Sequence, residues 1–301
     1  MSQSSSLRIG TRGSRLALAQ AEMVRAALGG EIVIVKTSGD RIQDRTLADA
    51  GGKGLFTKEL EEALFEQRID LAVHSMKDVP AVLPRGLIIG ALLPREDPRD
   101  ALLSPVAHTI AELPVKARVG TSSVRRKAQL ARARRDAESL LLRGNVDTRV
   151  KKLDDGEYDA IILAVAGLKR LGLGARAQHP LSPAEWLPSP AQGAVGLEIR
   201  EGDTSARELV SKLDDEKTAI ALACERAFLA SLDGSCRTPI AGLATIENSV
   251  LRFHGEVLAP DGSDFVETKI ESAIGNRDDA ARLGREAGEQ LRPRAQAWLD
   301  F

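Results

Sequence analysis

Hydrophobic positions along the first ninety residues follow two alternating periods. Leu7 to Gly10 and Glu31 to Lys36 are short apolar runs that read as strands. Between them Leu16, Ala19, Met23, Val24 and Ala27 recur at helical spacing until Gly29-Gly30 stops the pattern. The same rhythm predicts a helix over Thr57 to Glu66 and strands at Ile69 to His74 and Leu87 to Leu93. It breaks at Pro94 to Pro105, a charged, proline-containing stretch read as a crossing into a second α/β set. There, strands at Ala117 to Gly120, Ser139 to Arg143 and Asp159 to Leu163 alternate with helices near Ser123 to Arg135, Val146 to Leu153 and Val165 to Leu171, which predicts a small parallel-type sheet. Four prolines in Pro180 to Pro190 mark a second crossing, and the strand at Ala194 to Ile199 is expected to return to the first domain.

From Asp214 a long helix through Ala219 to Leu232 leads into alternating runs at Gly242 to Ile246, Val250 to Leu258 and Phe265 to Ser272, then a last helix near Ala280 to Leu299. The expected fold class is therefore α/β: two α/β domains with a cleft between them, plus a smaller C-terminal α+β domain. Domain 1 takes residues 1–95 and 191–213, domain 2 takes 96–190, and domain 3 takes 214–301. At 301 residues the chain is long enough to need more than one core.

Composition narrows the function classes. The longest apolar runs are too short to span a bilayer, so no membrane role is expected. Lys and Arg total 42 against 43 Asp and Glu, leaving a net charge of -1 and no overall field to attract nucleic acid; any anion site must be local. The 42 cations divide into 30 Arg and 12 Lys, a tilt towards the side chain that grips carboxylates and phosphates with a planar fork, although genome base composition produces the same tilt. Nine aromatics leave few stacking platforms for unpaired bases. Two cysteines, Cys224 and Cys236, are too few for a disulfide framework, and Met1 to Ser6 carry no apolar secretory segment; a cytoplasmic setting is expected.

Candidate chemistry collects at strand-to-helix turns. Thr121-Ser122-Ser123 offers hydroxyls and N–H groups to a helix start or an anion, and Arg125 and Arg126 follow in the first turn. Two guanidinium groups there oppose the helix dipole, which favours a bound anion; a solvated basic face with Lys127, Arg132, Arg134 and Arg135 is the competing reading. Arg143 and Arg149 flank Gly144-Asn145 at the next turn, and Arg12 and Ser14 stand at the equivalent turn of the first domain. Asp78, in His74-Ser75-Met76-Lys77-Asp78, is a lone carboxylate at a strand exit facing those cations, or else the partner of a structural ion pair. Gly51-Gly52-Lys53-Gly54 lacks phosphate-loop spacing and is either a surface turn or a closing loop. Cys236 lies in the turn-like stretch Asp233 to Pro239 and is reachable, whereas Cys224 sits among apolar helix neighbours.

Nearly the whole chain resembles the porphobilinogen deaminase (hydroxymethylbilane synthase) family. The resemblance is carried by Thr11-Arg12-Gly13-Ser14, Gly51 to Phe56, Ala72 to Pro80, Gly120 to Arg126, Leu142 to Val146, Tyr158 to Gly172, Gln192 to Gly196 and Gly234-Ser235-Cys236. It implies two domains similar to periplasmic binding proteins and a third carrying a dipyrromethane cofactor on Cys236 through a thioether. Four porphobilinogen units would be added to that primer, each losing ammonia, before hydrolysis releases linear hydroxymethylbilane. The resemblance assigns Asp78 as the catalytic carboxylate that stabilises the ring cation. It assigns cofactor binding to Lys77, Asp78, Thr121, Ser122, Ser123, Arg125, Arg126, Arg143, Gly144 and Asn145. Substrate binding falls to Arg12, Ser14, Lys53, Phe56, Arg149, Arg170 and Gln192. No metal, nucleic-acid or membrane partner is implied, and a monomer is expected. The chain departs from the family pattern at Arg15, Asp49, Asp147 and Ser235, and Asp49 reverses a charge near the Gly51 loop. A two-lobed protein that clamps a polycarboxylate without chemistry is the rival reading; it leaves Cys236 without a task.

Overall fold

The structure is a computed structural model that describes residues 6–41, 54–234 and 238–299. The first lobe begins with β1 (Arg8–Thr11), α1 (Arg15–Leu28) and β2 (Glu31–Ile34). The single turn α2 (Ser38–Arg41), α3 (Lys58–Phe65), β3 (Leu71–Ser75) and β4 (Leu87–Leu92) follow. Ser14 caps α1, its hydroxyl accepting the Ala17 N–H at 3.3 Å, and Gly29 closes the helix. The chain then crosses to the second lobe and enters it as β5 (Asp100–Leu103), followed by β6 (Arg118–Gly120), α4 (Val124–Ala133), β7 (Glu138–Leu140), α5 (Val146–Asp154), β8 (Ala160–Ala164), α6 (Val165–Arg170) and β9 (His179–Pro180). It returns as β10 (Val195–Arg200) and α7 (Thr204–Ser211).

The two sheets share one plan. The first is ordered β2-β1-β3-β10-β4 and the second β7-β6-β8-β5-β9. In each, three strands run parallel, and the strand that arrives from the other lobe, β10 or β5, lies antiparallel against the third. The sheets are therefore mixed rather than parallel, because each lobe is closed by a strand that enters it from the opposite side. β3 and β8 read as continuous apolar runs since both faces are covered by helices. The turns after β1, β3, β6 and β7 carry the candidate site residues.

The structure corrects two element readings. Pro94 to Pro105 is not an open crossing throughout: Asp100–Leu103 is a fully buried strand at the heart of the second sheet. The proline and charge content around it masks a strand only four residues long. The strand expected at Ser139 to Arg143 lies at Glu138–Leu140, which leaves Arg143 in the turn. Helix α7 was not anticipated; Asp203 caps it through the Ala206 N–H at 2.9 Å.

A third unit packs α8 (Glu216–Ser231) and α9 (Arg277–Leu299) on an antiparallel sheet β11 (Ile240–Glu247), β12 (Val250–Leu258), β13 (Phe265–Ala273). Its core centres on Phe228 and Phe253, whose rings meet edge to face at 5.0 Å. Helix α8 also staples the two crossings. Fully buried Glu225 accepts from Arg95 of the outward crossing at 2.7 and 3.1 Å, from the Ala191 N–H of the return crossing at 2.5 Å, and from Ala244 of β11 at 2.8 Å. Among the described residues no helix is long and apolar enough to cross a membrane.

Candidate active site

In the first lobe a small cleft opens between the turn after β1 and the exit of β3. Arg12, Ser14, Phe56, Ser75 and Asp78 line it. The Arg12 guanidinium stacks on the Phe56 ring at 4.0 Å, which orients the cation. Strand β3 ends in a 3₁₀ turn, Met76–Asp78, that lifts Lys77 and Asp78 to the lobe boundary, where both are half-buried. Beneath them buried His74 pairs with fully buried Glu198 of β10 at 2.9 Å, so the histidine belongs to the scaffold under the cleft.

The second lobe supplies the turns after β6 and β7. Ser123 caps α4 at the Arg126 N–H, Thr121 Oγ1 accepts the Ser123 N–H at 3.2 Å, and Ser122 donates its hydroxyl to the Leu142 carbonyl. Arg125 and Arg126 have a partner that the sequence did not disclose. Asp100, fully buried at the start of β5, accepts from Arg125 Nη2 at 2.9 Å and from Arg126 at 2.6 and 3.1 Å. Trp186 Nε1 at 3.0 Å and Gln192 Nε2 at 2.8 Å complete its shell. The anion that offsets two cations at the α4 start is thus the chain's own carboxylate. Burial alone would push Asp100 up, but the two guanidinium groups and the bonds from Arg126 and Gln192 hold it well below the usual carboxylate range. Arg125 Nη1 donates to Gln129 and to the Leu187 carbonyl, both at 2.8 Å, and Arg126 Nη1 reaches the Ile162 carbonyl at 2.9 Å.

At the next turn Gly144 adopts φ 107, a left-handed conformation natural to glycine, and a Cβ there would meet Thr148 at 2.9 Å. That turn lets Arg149 Nε donate to the Gly144 carbonyl at 2.7 Å, and Asn145 occupies the cap position of α5 without a side-chain cap bond.

Electrostatics joins the two halves. Burial pushes Lys77 down to about 8, with Arg126 and Arg125 lowering it further and Asp78 and Asp100 partly offsetting them. Burial likewise takes Arg149 down to about 10, aided by Arg126 and Arg143, and Asp78 again opposes the shift. Asp78 is the common member: it lines the first-lobe cleft and faces the second-lobe cations.

Gln192 is 1% exposed and bridges the lobes, accepting from Lys77 Nζ at 3.3 Å and donating to the Pro98 carbonyl and Asp100 at 2.8 Å. Arg170 binds the Gly193 carbonyl at 2.6 Å, and burial lowers its pKa. Both stand at the hinge behind the cleft. Lys53 and Cys236, with Gly51, Gly52, Asp49 and Ser235, lie outside the described residues. Helix α8 and Leu232 to Gly234 lead directly towards Cys236, while Cys224 is fully buried in α8 with its thiol pushed up by that burial. Sequence reasoning missed Asp100, Trp186, Arg95 and Glu225. The available signal for Asp100 was a carboxylate opening the apolar run Ala101 to Leu103.

Fold and site together define a two-lobed α/β protein whose cleft gathers cations around one carboxylate, with a third unit docked behind the hinge. Residues 7–208 match the model of the dipyrromethane cofactor binding domain of porphobilinogen deaminase, and residues 219–293 match that of its C-terminal domain. A porphobilinogen deaminase of Paracoccus denitrificans (strain Pd 1222) is 50% identical over 300 residues, covering 97% of this chain and 95% of that protein. The chain belongs to the porphobilinogen deaminase family. Among solved structures, a Salmonella typhimurium periplasmic binding protein of high arginine specificity aligns at 11% identity and TM-score 0.39, covering 70% of this chain and 92% of that one. YhfZ from Shigella flexneri aligns at 16% identity and TM-score 0.35, covering 76% and 91% respectively.

Proposed function

We propose that this chain deaminates four porphobilinogen molecules and joins them head to tail on a dipyrromethane primer held by Cys236, then releases linear hydroxymethylbilane by hydrolysis. Family membership supports the activity, and the residue roles rest on the cleft. The carrying observation is that Asp78 is the carboxylate shared by both halves of a cation-crowded cleft. Lys77 and Arg149 are destabilised as cations by burial and by neighbouring guanidinium groups. Carboxylates of a dipyrromethane would relieve that crowding, so the residues present fit the group. When bound, the dipyrromethane supplies the pyrrole to which the next unit is joined.

The chain's own residues divide the remaining work. Lys77, Arg143 and Arg149, with N–H groups and hydroxyls of Ser122, Ser123, Gly144 and Asn145, hold acetate and propionate groups. Arg12 and Ser14 receive the incoming porphobilinogen, with Phe56 keeping the Arg12 guanidinium in place. Arg125, Arg126 and Thr121, which the resemblance gives to the cofactor, and Gln192, which it gives to the substrate, are placed one layer back, because Asp100 takes up donors of both arginines and of Gln192 and Thr121 braces the Ser123 turn. Lys53 is given a substrate-binding role by the family resemblance alone. Asp78 faces the positive charge that spreads over a pyrrole ring when ammonia leaves, and a fixed carboxylate in a partly desolvated cleft stabilises that charge. We assign domain 1 to residues 1–95 and 191–213, domain 2 to 96–190 and domain 3 to 214–301. We further assign a cytoplasmic monomer that binds no nucleic acid, in keeping with the near-neutral charge.

Intact mass of the purified protein, before and after Cys236→Ser, tests the reading. An excess equal to two porphobilinogen units less two ammonias, lost in the variant, is the expected result. Polypeptide mass alone after incubation with porphobilinogen, with no ammonia released, would replace it by the reversible polycarboxylate clamp.

A further inference from the structure

The segment after Asp78 is held from outside its own lobe. Val79 is buried against Ala219 and Leu222 of α8, and Pro80 has no N–H to give. The three carbonyls that follow Asp78 point at one side chain. Arg226 of α8 donates Nη1 to Val79 O at 3.3 Å and Nη2 to Pro80 O at 2.8 Å and Ala81 O at 3.1 Å. On the other side of Asp78, the turn is tied to the return crossing by Met76 N–H donating to Ala194 O at 3.0 Å.

A guanidinium suits this task because its planar fork can serve several acceptors at once, which a lysine ammonium on a flexible stem does less rigidly. Burial takes Arg226 down to about 10, with Glu198 partly offsetting the loss, so the residue sits there at an electrostatic cost. Helix α8 also runs on towards Gly234 and the segment of Cys236. One helix therefore carries both the clamp on the Asp78 segment and the approach to the cofactor attachment point.

We propose that Arg226 is a positioning residue for Asp78: by taking up the carbonyls of residues 79–81 it fixes the catalytic carboxylate in register with the helix that leads to Cys236. The proposal rests on the functional reading above. Arg226 itself touches no reacting atom.

The test compares porphobilinogen turnover by Arg226→Leu and Arg226→Lys with that of the parent holoenzyme, each checked by intact mass for an attached dipyrromethane. A misplacement of about 1 Å at a reacting group can cost on the order of a hundredfold in rate. The Leu variant is expected to lose at least about tenfold in kcat with KM changed less than about twofold, because the cations that hold carboxylates are untouched. The Lys variant should recover part of the loss. If the Leu variant does not accumulate as folded protein, Arg226→Gln, which keeps a donor without the charge or the fork, decides by the same criterion. A kcat within about twofold of the parent, even with a lower unfolding temperature, overturns the proposal, as does a loss confined to KM. Absence of turnover in the parent protein would instead overturn the functional reading.

Discussion

At Asp78 a carboxylate sits beside Lys77 of its own turn and faces Arg149 of the other lobe, and its removal leaves a developing ring cation with only cations for company. Asp78→Ala is therefore expected to fold normally, with an unchanged thermal unfolding midpoint, and to lose nearly all porphobilinogen consumption. Near-normal activity in that variant would remove Asp78 from the mechanism. Lys77 gives a pH signature. Its folded pKa, about 8, lies below the ordinary lysine value of 10.5, so between those values the folded protein has released a proton that the unfolded chain retains. Through that window folding stability rises with pH. Substrate capture moves the other way, because Lys77 loses the charge that attracts carboxylates, and kcat/KM is expected to fall as pH passes about 8. In Lys77→Arg the fall should move to higher pH; an unchanged profile would show that another group controls capture.

At the scale of elements, two contacts between parts of the chain far apart in sequence differ sharply in expected weight. Arg15 at the start of α1 pairs with Asp147 in the first turn of α5 at 2.8 Å, linking the lobes. The Arg15 side chain is 67% exposed, so the pair is screened, and Asp147→Asn is expected to cost less than about 1 kcal/mol. Glu225 is fully buried and holds both crossings to α8. Glu225→Ala strands Arg95 and two backbone N–H groups, and a loss of about 3–5 kcal/mol is expected in urea unfolding. A loss as small as that of Asp147→Asn would show that α8 does not carry the junction.

These elements also show how far the sequence could be read. The helical spacing of Leu16 to Ala27 and the apolar runs of β3 and β8 were legible because period and burial are local properties. β5 was not, since four residues among prolines and charges have no period to detect, and burial between β8 and β9 makes them a strand. Arg125 and Arg126 read either as answering a bound anion or as a solvated basic face, and Asp100, about 25 residues upstream, could not be paired with them from spacing.

Across the whole molecule the hinge is a small knot of backbone. Glu96 N–H of the outward crossing donates to Gly193 O of the return crossing at 3.2 Å, and Arg170 donates to the same carbonyl at 2.6 Å. Gly193 has φ 91, and a Cβ there would lie 2.3 Å from Glu96 O. Gly193→Ala should therefore push the crossings apart, lowering the unfolding midpoint and weakening substrate capture together. A variant with wild-type midpoint and KM would show that the hinge tolerates the displacement.

The sequence by itself determined the α/β class, the two crossings, the cationic turns and, through its resemblance, the family, because each is written in local period, turn chemistry or contiguous motif. Only the tertiary structure decided which charges meet. It buried Asp100 against two arginines, brought Glu225 and Arg226 of the third unit onto the crossings and the Asp78 segment, and set Asp78 before cations of both lobes. The physical reason is that charge pairing follows distance and desolvation in three dimensions, and neither quantity is encoded in sequence separation.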